Sequence, residues 1–140
     1  MSTALRTWMG RLPNLITAAI LVQTLFFKFT AAPESVHIFS TLGIEPVGRI
    51  GSGIAELVAA VLLLWPAFAW VGASIALGVM VGAIVGHLTV LGIEVQGDGG
   101  LLFSLAVVVA ALSTFILVRE RERIRTTIMN ALERHDPRNA

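Results

Sequence analysis

Residues 50–92 read IGSGIAELVAAVLLLWPAFAWVGASIALGVMVGAIVGHLTVLG, and this stretch decides the fold. Glu56 is its only carboxylate, His87 its only histidine, and it contains no lysine or arginine. A transmembrane helix needs about 20 mainly apolar residues. Two such runs are present, at about 50–65 and 70–92, separated only by Pro66-Ala67-Phe68-Ala69. Pro66 ends the first helix, and Trp65 and Trp70 fall at headgroup depth, as in a tight helical hairpin at the membrane interface. One kinked helix over the whole stretch would overshoot a hydrocarbon core of about 30 Å.

Two further runs flank the hairpin. The first, about 12–32, is the most polar and carries Asn14, Thr17, Gln23, Thr24, Lys28 and Thr30. The last runs from about 100 to 118 and contains Val107-Val108-Val109-Ala110-Ala111-Leu112, which lacks the apolar–polar alternation of a barrel strand. Arg6 and Arg11, an apolar run and Thr30-Ala31-Ala32 imitate a signal peptide. The run exceeds the usual span of about 7–15 residues and Lys28 precedes the supposed cleavage site, so it reads as a retained helix. The hairpin's first helix has a possible earlier start near Pro46. Residues 33–49 form a loop in which Glu34–Phe39 can make a short interfacial helix, and residues 93–99 form another. Arg119–Arg125 is expected to carry the last helix into water as the start of a charged tail, 119–140, with His135–Ala140 frayed. The prediction is one domain, 1–140: an all-α integral membrane four-helix bundle.

Composition agrees. Of 140 residues, 56% are hydrophobic and 14% charged, and mean hydropathy is +0.84. Soluble domains carry about 25% charged residues. A chain this short has too little interior to hide so much apolar surface from water. Disorder is excluded by the same figures. Cysteine is absent, so there is no disulfide, thiol nucleophile or thiolate metal site.

Lysine and arginine near the span ends set the orientation. With four spans both termini share a side, which holds Arg6, Arg11, Arg119, Arg121, Arg123, Arg125, Arg134 and Arg138. The opposite loops hold only Arg49, with the acids Glu34, Glu45, Glu94 and Asp98. That bias predicts cytoplasmic termini.

A rise of about 1.5 Å per residue then places the ionisable groups inside the spans. Lys28, Glu56 and His87 lie about 6, 9 and 7–8 Å below the same face, on three different helices, with Asp98 at the rim. An isolated charge near mid-bilayer costs about 2.5–3.5 kcal/mol, so clustering is favoured. The functional reading is a polar site in which Lys28 pairs with Glu56 beside a titratable His87. The structural alternative has Lys28 snorkelling to the headgroups, Glu56 paired with Arg49 or with the loop, and His87 bonded to a backbone carbonyl. Whether His37 joins the site is open. No HxxxH or ExxH spacing supports a metal site, no residue pattern supports haem or a phosphate cradle, and no basic patch points to nucleic acid.

Gly78, Gly82 and Gly86 share one face of the 70–92 helix. Small residues let helices approach closely in a bilayer, so this face is expected to be a packing seam. A homodimer seam, or room for a ligand beside His87, are the alternatives.

Thr24-Leu25-Phe26-Phe27-Lys28-Phe29, Gly53-Ile54-Ala55-Glu56-Leu57, Gly86-His87-Leu88 and Gly97-Asp98-Gly99-Gly100 together resemble the DoxX and DoxX-like family of small bacterial four-helix membrane proteins. The resemblance spans about residues 12–118. It implies an inner-membrane location and an accessory or quinone/lipid-binding subunit of a membrane redox or stress-response system. Some members are membrane subunits of a thiosulfate:quinone oxidoreductase. Without cysteine, a redox role would require a partner protein carrying the electrons. A small proton-coupled transporter and a purely structural membrane subunit are the rival classes, and the sequence carries no self-contained catalytic motif.

Overall fold

The structure, a computed structural model, describes residues 3–134. Its elements are α1 (Thr3–Phe29), α2 (Pro33–Thr41), α3 (Val47–Leu64), α4 (Ala69–Gly86) with a π-helical turn at His87–Leu91, α5 (Leu101–Arg119) and α6 (Arg121–Arg134). No strand occurs among the described residues. Four segments are long and apolar enough to cross a membrane: Gly10–Phe29, Val47–Leu64, Ala69–Leu91 and Leu101–Arg119. The chain is a multi-pass membrane protein in these terms.

The spans pack in a ring, α1 on α3, α3 on α4, α4 on α5, and α5 back on α1. The shared core mixes small side chains, among them Ala18, Ala59, Ala73 and Ala76, with Leu21, Leu63, Met80 and Ile116. Large apolar side chains such as Phe26, Val61 and Phe115 point outward. Such an apolar exterior is expected where lipid, as apolar as leucine, gives no drive to bury these side chains and close contact is what holds helices together.

The α1 boundary differs from the expected 12–32. The helix begins earlier and stops at Phe29, because Ala31 takes a left-handed conformation (φ 53°) that turns the chain into α2. Lys28 is therefore next to the last residue of its helix rather than a full turn inside it. The hairpin turn between α3 and α4 falls where Pro66 predicts. The tail is not a simple extension of α5: Glu120 interrupts it, and α6 is a separate helix. The expected fraying of His135–Ala140 lies outside the described residues.

The glycine seam needs correcting. A Cβ added at Gly78 or Gly82 would meet nothing within 4 Å, and one at Gly86 would make ordinary contact with Leu42 at 3.4 Å. The close approach lies at Gly72 instead, where a Cβ would sit 2.7 Å from both the Ala59 carbonyl oxygen and the Leu63 nitrogen. Periodicity identified which glycines share a face but not what that face meets.

At the end of the bundle that holds the chain's start and the α3–α4 turn, which we term the termini end, polar side chains close on backbone carbonyls. Asn14 Nδ2 donates to Leu63 O (3.2 Å), Arg11 to Leu64 O (2.9 Å) and Arg123 to Pro66 O (2.7 Å). Arg119 donates to Gly10 O and to Asn14 Oδ1. The carbonyls in the last turn of a helix lack intrahelical partners, and Asn14 and Arg11 supply them for α3. The same bonds place the start of α1, the end of α3 and the end of α5 side by side.

Candidate functional site

The opposite end, carrying α2 and residues 92–100, is the loop end. Lys28, from the last turn of α1, reaches Glu56 near the middle of α3, with Nζ 2.5 Å from Oε1. Glu56 is 1% exposed and the Lys28 side chain 15%. Thr24, one turn before Lys28, donates from Oγ1 to the other carboxylate oxygen at 2.9 Å. Both Glu56 oxygens are thus engaged, and loss of either partner would leave a buried carboxylate under-compensated. The ammonium also lies 5.9 Å from the centre of the Phe39 ring, contributed by α2. That contact is a cation–π arrangement in a partly dehydrated setting.

Arg49 does not pair with Glu56. Its guanidinium takes Glu45 one turn earlier (Nη2 to Oε1, 2.7 Å) and donates through Nη1 to the Lys28 carbonyl. This is a scaffold role: Arg49 ties the end of α1 to the start of α3 and so positions Lys28. Gly53 helps, since a Cβ there would press on the Phe29 ring at 3.2 Å.

His87 is buried at the junction where α4 changes to the π-helical turn. Its Nδ1 lies 2.8 Å from Gly92 O, and its ring meets Phe103 edge-on at 5.7 Å. A carbonyl only accepts, so Nδ1 carries the hydrogen and, in the neutral ring, Nε2 is left as an acceptor. The expected backbone partner is present, but His87 also lines a cavity.

That cavity, about 300 Å³, is what the arrangement adds to the ion pair. Lys28 and Glu56 line it from α1 and α3, Phe39 of α2 and Leu42 just beyond that helix line it from above, and His87 lines it from the end of α4. Gly78 and Gly82 line it too, and both are exposed at the bundle surface. A Cβ at either position would meet nothing within 4 Å.

Asp98 belongs elsewhere. Its Oδ1 accepts the backbone N–H of Val95 and Gly100, and its Oδ2 that of Leu102, all at 2.9 Å. It folds the 92–100 loop and caps the first turn of α5, where a helix dipole favours a negative charge. Desolvation pushes its carboxyl up. The N–H donors of Leu102, Val95 and Gly100, with nearby His87, outweigh that and hold it below its ordinary 3.8. Asp98 is not among the cavity residues. His37 is exposed on α2 and does not line the cavity.

Three contributors escaped the sequence reading. Thr24 had a signal, its position one helical turn before Lys28. Phe39 and the π-helical turn had none, because both depend on how distant segments meet. Comparison of the chain with protein-family models, curated proteins and solved structures finds no match.

Proposed function

We propose that this chain is a DoxX-like protein of the bacterial inner membrane that binds the headgroup of a quinone or lipid at the loop end. It would serve as an accessory subunit of a membrane redox or stress-response system. The observation that carries the reading is the single cavity shared by Lys28, Glu56 and His87, lined also by the surface-exposed Gly78 and Gly82, where we infer a side opening. A side opening suits a ligand that arrives through the bilayer with its tail still in lipid. The excess of basic residues toward the termini supports cytoplasmic termini, which would put the cavity in the outer half of the membrane.

The residues fit such a headgroup. Lys28 donates from Nζ to a carbonyl or anionic oxygen, while Glu56 and Thr24 hold the ammonium in place. His87, whose Nδ1 is held by Gly92 O, has Nε2 left for a hydrogen bond to the ligand. The apolar side chains of Ile38, Leu42 and Val79 exclude water around them. A bound quinone would supply the two-electron chemistry that no side chain of this cysteine-free protein provides, with electrons coming from a redox partner protein. The second reading, a proton-coupled carrier, is favoured by His87 standing on the same cavity.

Solvent extraction and mass spectrometry of protein purified in mild detergent test the proposal. Parent protein should retain a quinone or lipid that the Lys28→Met/Glu56→Leu double variant loses. Equal retention by both would remove the site from the account, and proton-coupled flux in liposomes would move it to the carrier reading.

A further inference from the structure

We propose that α6 is an in-plane membrane helix that seats its apolar face on an anionic phospholipid surface, using Arg121 and Arg125 as headgroup contacts. This is independent of the loop-end cavity.

The junction with α5 is short. Backbone hydrogen bonds run across it, from Glu120 N to Ile116 O and from Ile124 N to Glu120 O. The first turn of α6 therefore begins where a membrane span ends, at headgroup level. With 14 residues and four arginines, α6 is too short and too polar to cross a bilayer itself.

Its apolar residues fall on one side. Ile124, Ile128 and Leu132 follow one another every four residues, with Met129 beside them. Ile128, Met129 and Leu132 are exposed, by 50, 50 and 64%. Arg121 and Arg125 join Ile124, Ile128 and Met129 around a shallow groove of about 360 Å³. Arg125 makes no ion pair among the described residues, and Arg121 only a long exposed one, 3.6 Å to Glu122. Arg123 fixes which way the helix faces. It lies on the opposite side and donates to Pro66 O at 2.7 Å, so the apolar face turns away from the α3–α4 turn.

Charge selects the occupant. A second copy packed in parallel through this face would bring Arg121 and Arg125 against their own equivalents. An anionic bilayer instead accepts both guanidiniums at its phosphates while the isoleucines, Met129 and Leu132 enter the acyl boundary. The arginine stems lie along the apolar groove and their heads reach the headgroups, the snorkelling geometry.

The chain has no cysteine, so single cysteines can be spin-labelled cleanly. Ile128→Cys and Thr126→Cys report opposite sides of α6. In nanodiscs containing phosphatidylglycerol, the label at 128 should collide with lipid-soluble oxygen and be shielded from an aqueous nickel chelate, with the reverse at 126. Arg121→Gln/Arg125→Gln should weaken docking about 30-fold, from two headgroup contacts of about 1 kcal/mol each, and pure phosphatidylcholine should act in the same direction. Two results overturn the proposal. A label at 128 as open to the chelate as that at 126 means a helix standing in water. A label at 128 shielded from both quenchers, with spin–spin broadening, means a second copy covers the face.

Discussion

Helix α4 carries glycines in both of its halves, and the two halves use them in opposite ways. At Gly72, near the termini end, the backbone of α3 sits so close that a methyl group would strike Ala59 O and Leu63 N at 2.7 Å. At Gly78 and Gly82, toward the loop end, the same substitution would meet open space. Polar groups follow the same division. Arg11, Asn14, Arg119 and Arg123 spend their donors on backbone carbonyls of the bundle. At the loop end Lys28, Glu56 and His87 border a cavity. Arg49 and Asp98 at the loop end are also engaged by their own chain, so what distinguishes that end is the cavity. The lesson is that a small residue or a buried charge has no fixed meaning in a membrane helix until its opposite wall is known.

The largest expected effect breaks the ion pair. Lys28→Met leaves Glu56 buried with only Thr24 as donor, and it should lower stability in detergent by about 3–5 kcal/mol. Glu56→Leu should cost less, because Lys28 is partly exposed and can turn toward the headgroups. The double variant should regain most of the loss, since an apolar pair replaces a buried ionic one at little net cost. Thermal unfolding of the four proteins measures the coupling. Simple additivity would mean that the two side chains do not interact.

Next in size is the close approach at the termini end. Gly72→Leu forces a side chain between two backbones and should destabilise by about 1–3 kcal/mol or more. Unchanged unfolding would place the helix contact elsewhere and erase the contrast between the halves of α4.

A smaller effect comes from the loop that closes the cavity end. Asp98→Ala removes the acceptor for three backbone donors and should cost about 1 kcal/mol near neutral pH. The sign with pH follows from the lowered carboxyl. Its contribution is present above the ordinary value of 3.8 and is lost as pH falls through the lower folded value. Parent and variant midpoints should therefore converge on acidification, read by the same thermal scans. A gap that widens in acid would contradict the capping role.

The four spans were legible because a bilayer imposes a length on every apolar run, and Pro66 with its flanking tryptophans marks the hairpin turn. The Lys28–Glu56 pair was legible through depth, since two charges at one level in a low-dielectric medium have strong reason to meet. Other features are settled by contacts distant in sequence. Gly72 lies on α4 like Gly78 and Gly82, and only the path of α3 distinguishes them. Phe39 reaches Lys28 because Ala31 turns α2 back over the bundle, and alanine gives no warning of a left-handed conformation. Asp98 looked like a rim member of the site because depth alone cannot tell a ligand-facing carboxylate from one folded onto its own loop. The break at Glu120 has no proline or glycine to announce it.

The central claim is that the loop end is open where the termini end is closed, and Gly82→Leu tests it most directly. Thermal unfolding in detergent and mass spectrometry of retained small molecules are measured on the same preparation, with Val81→Leu as the control on the neighbouring position. The account predicts a midpoint close to that of the parent, because no neighbour stands within 4 Å of the new Cβ, together with loss of the retained molecule as leucine fills the gap. A midpoint that falls like that of Gly72→Leu, or a retained molecule that stays in place, would contradict it.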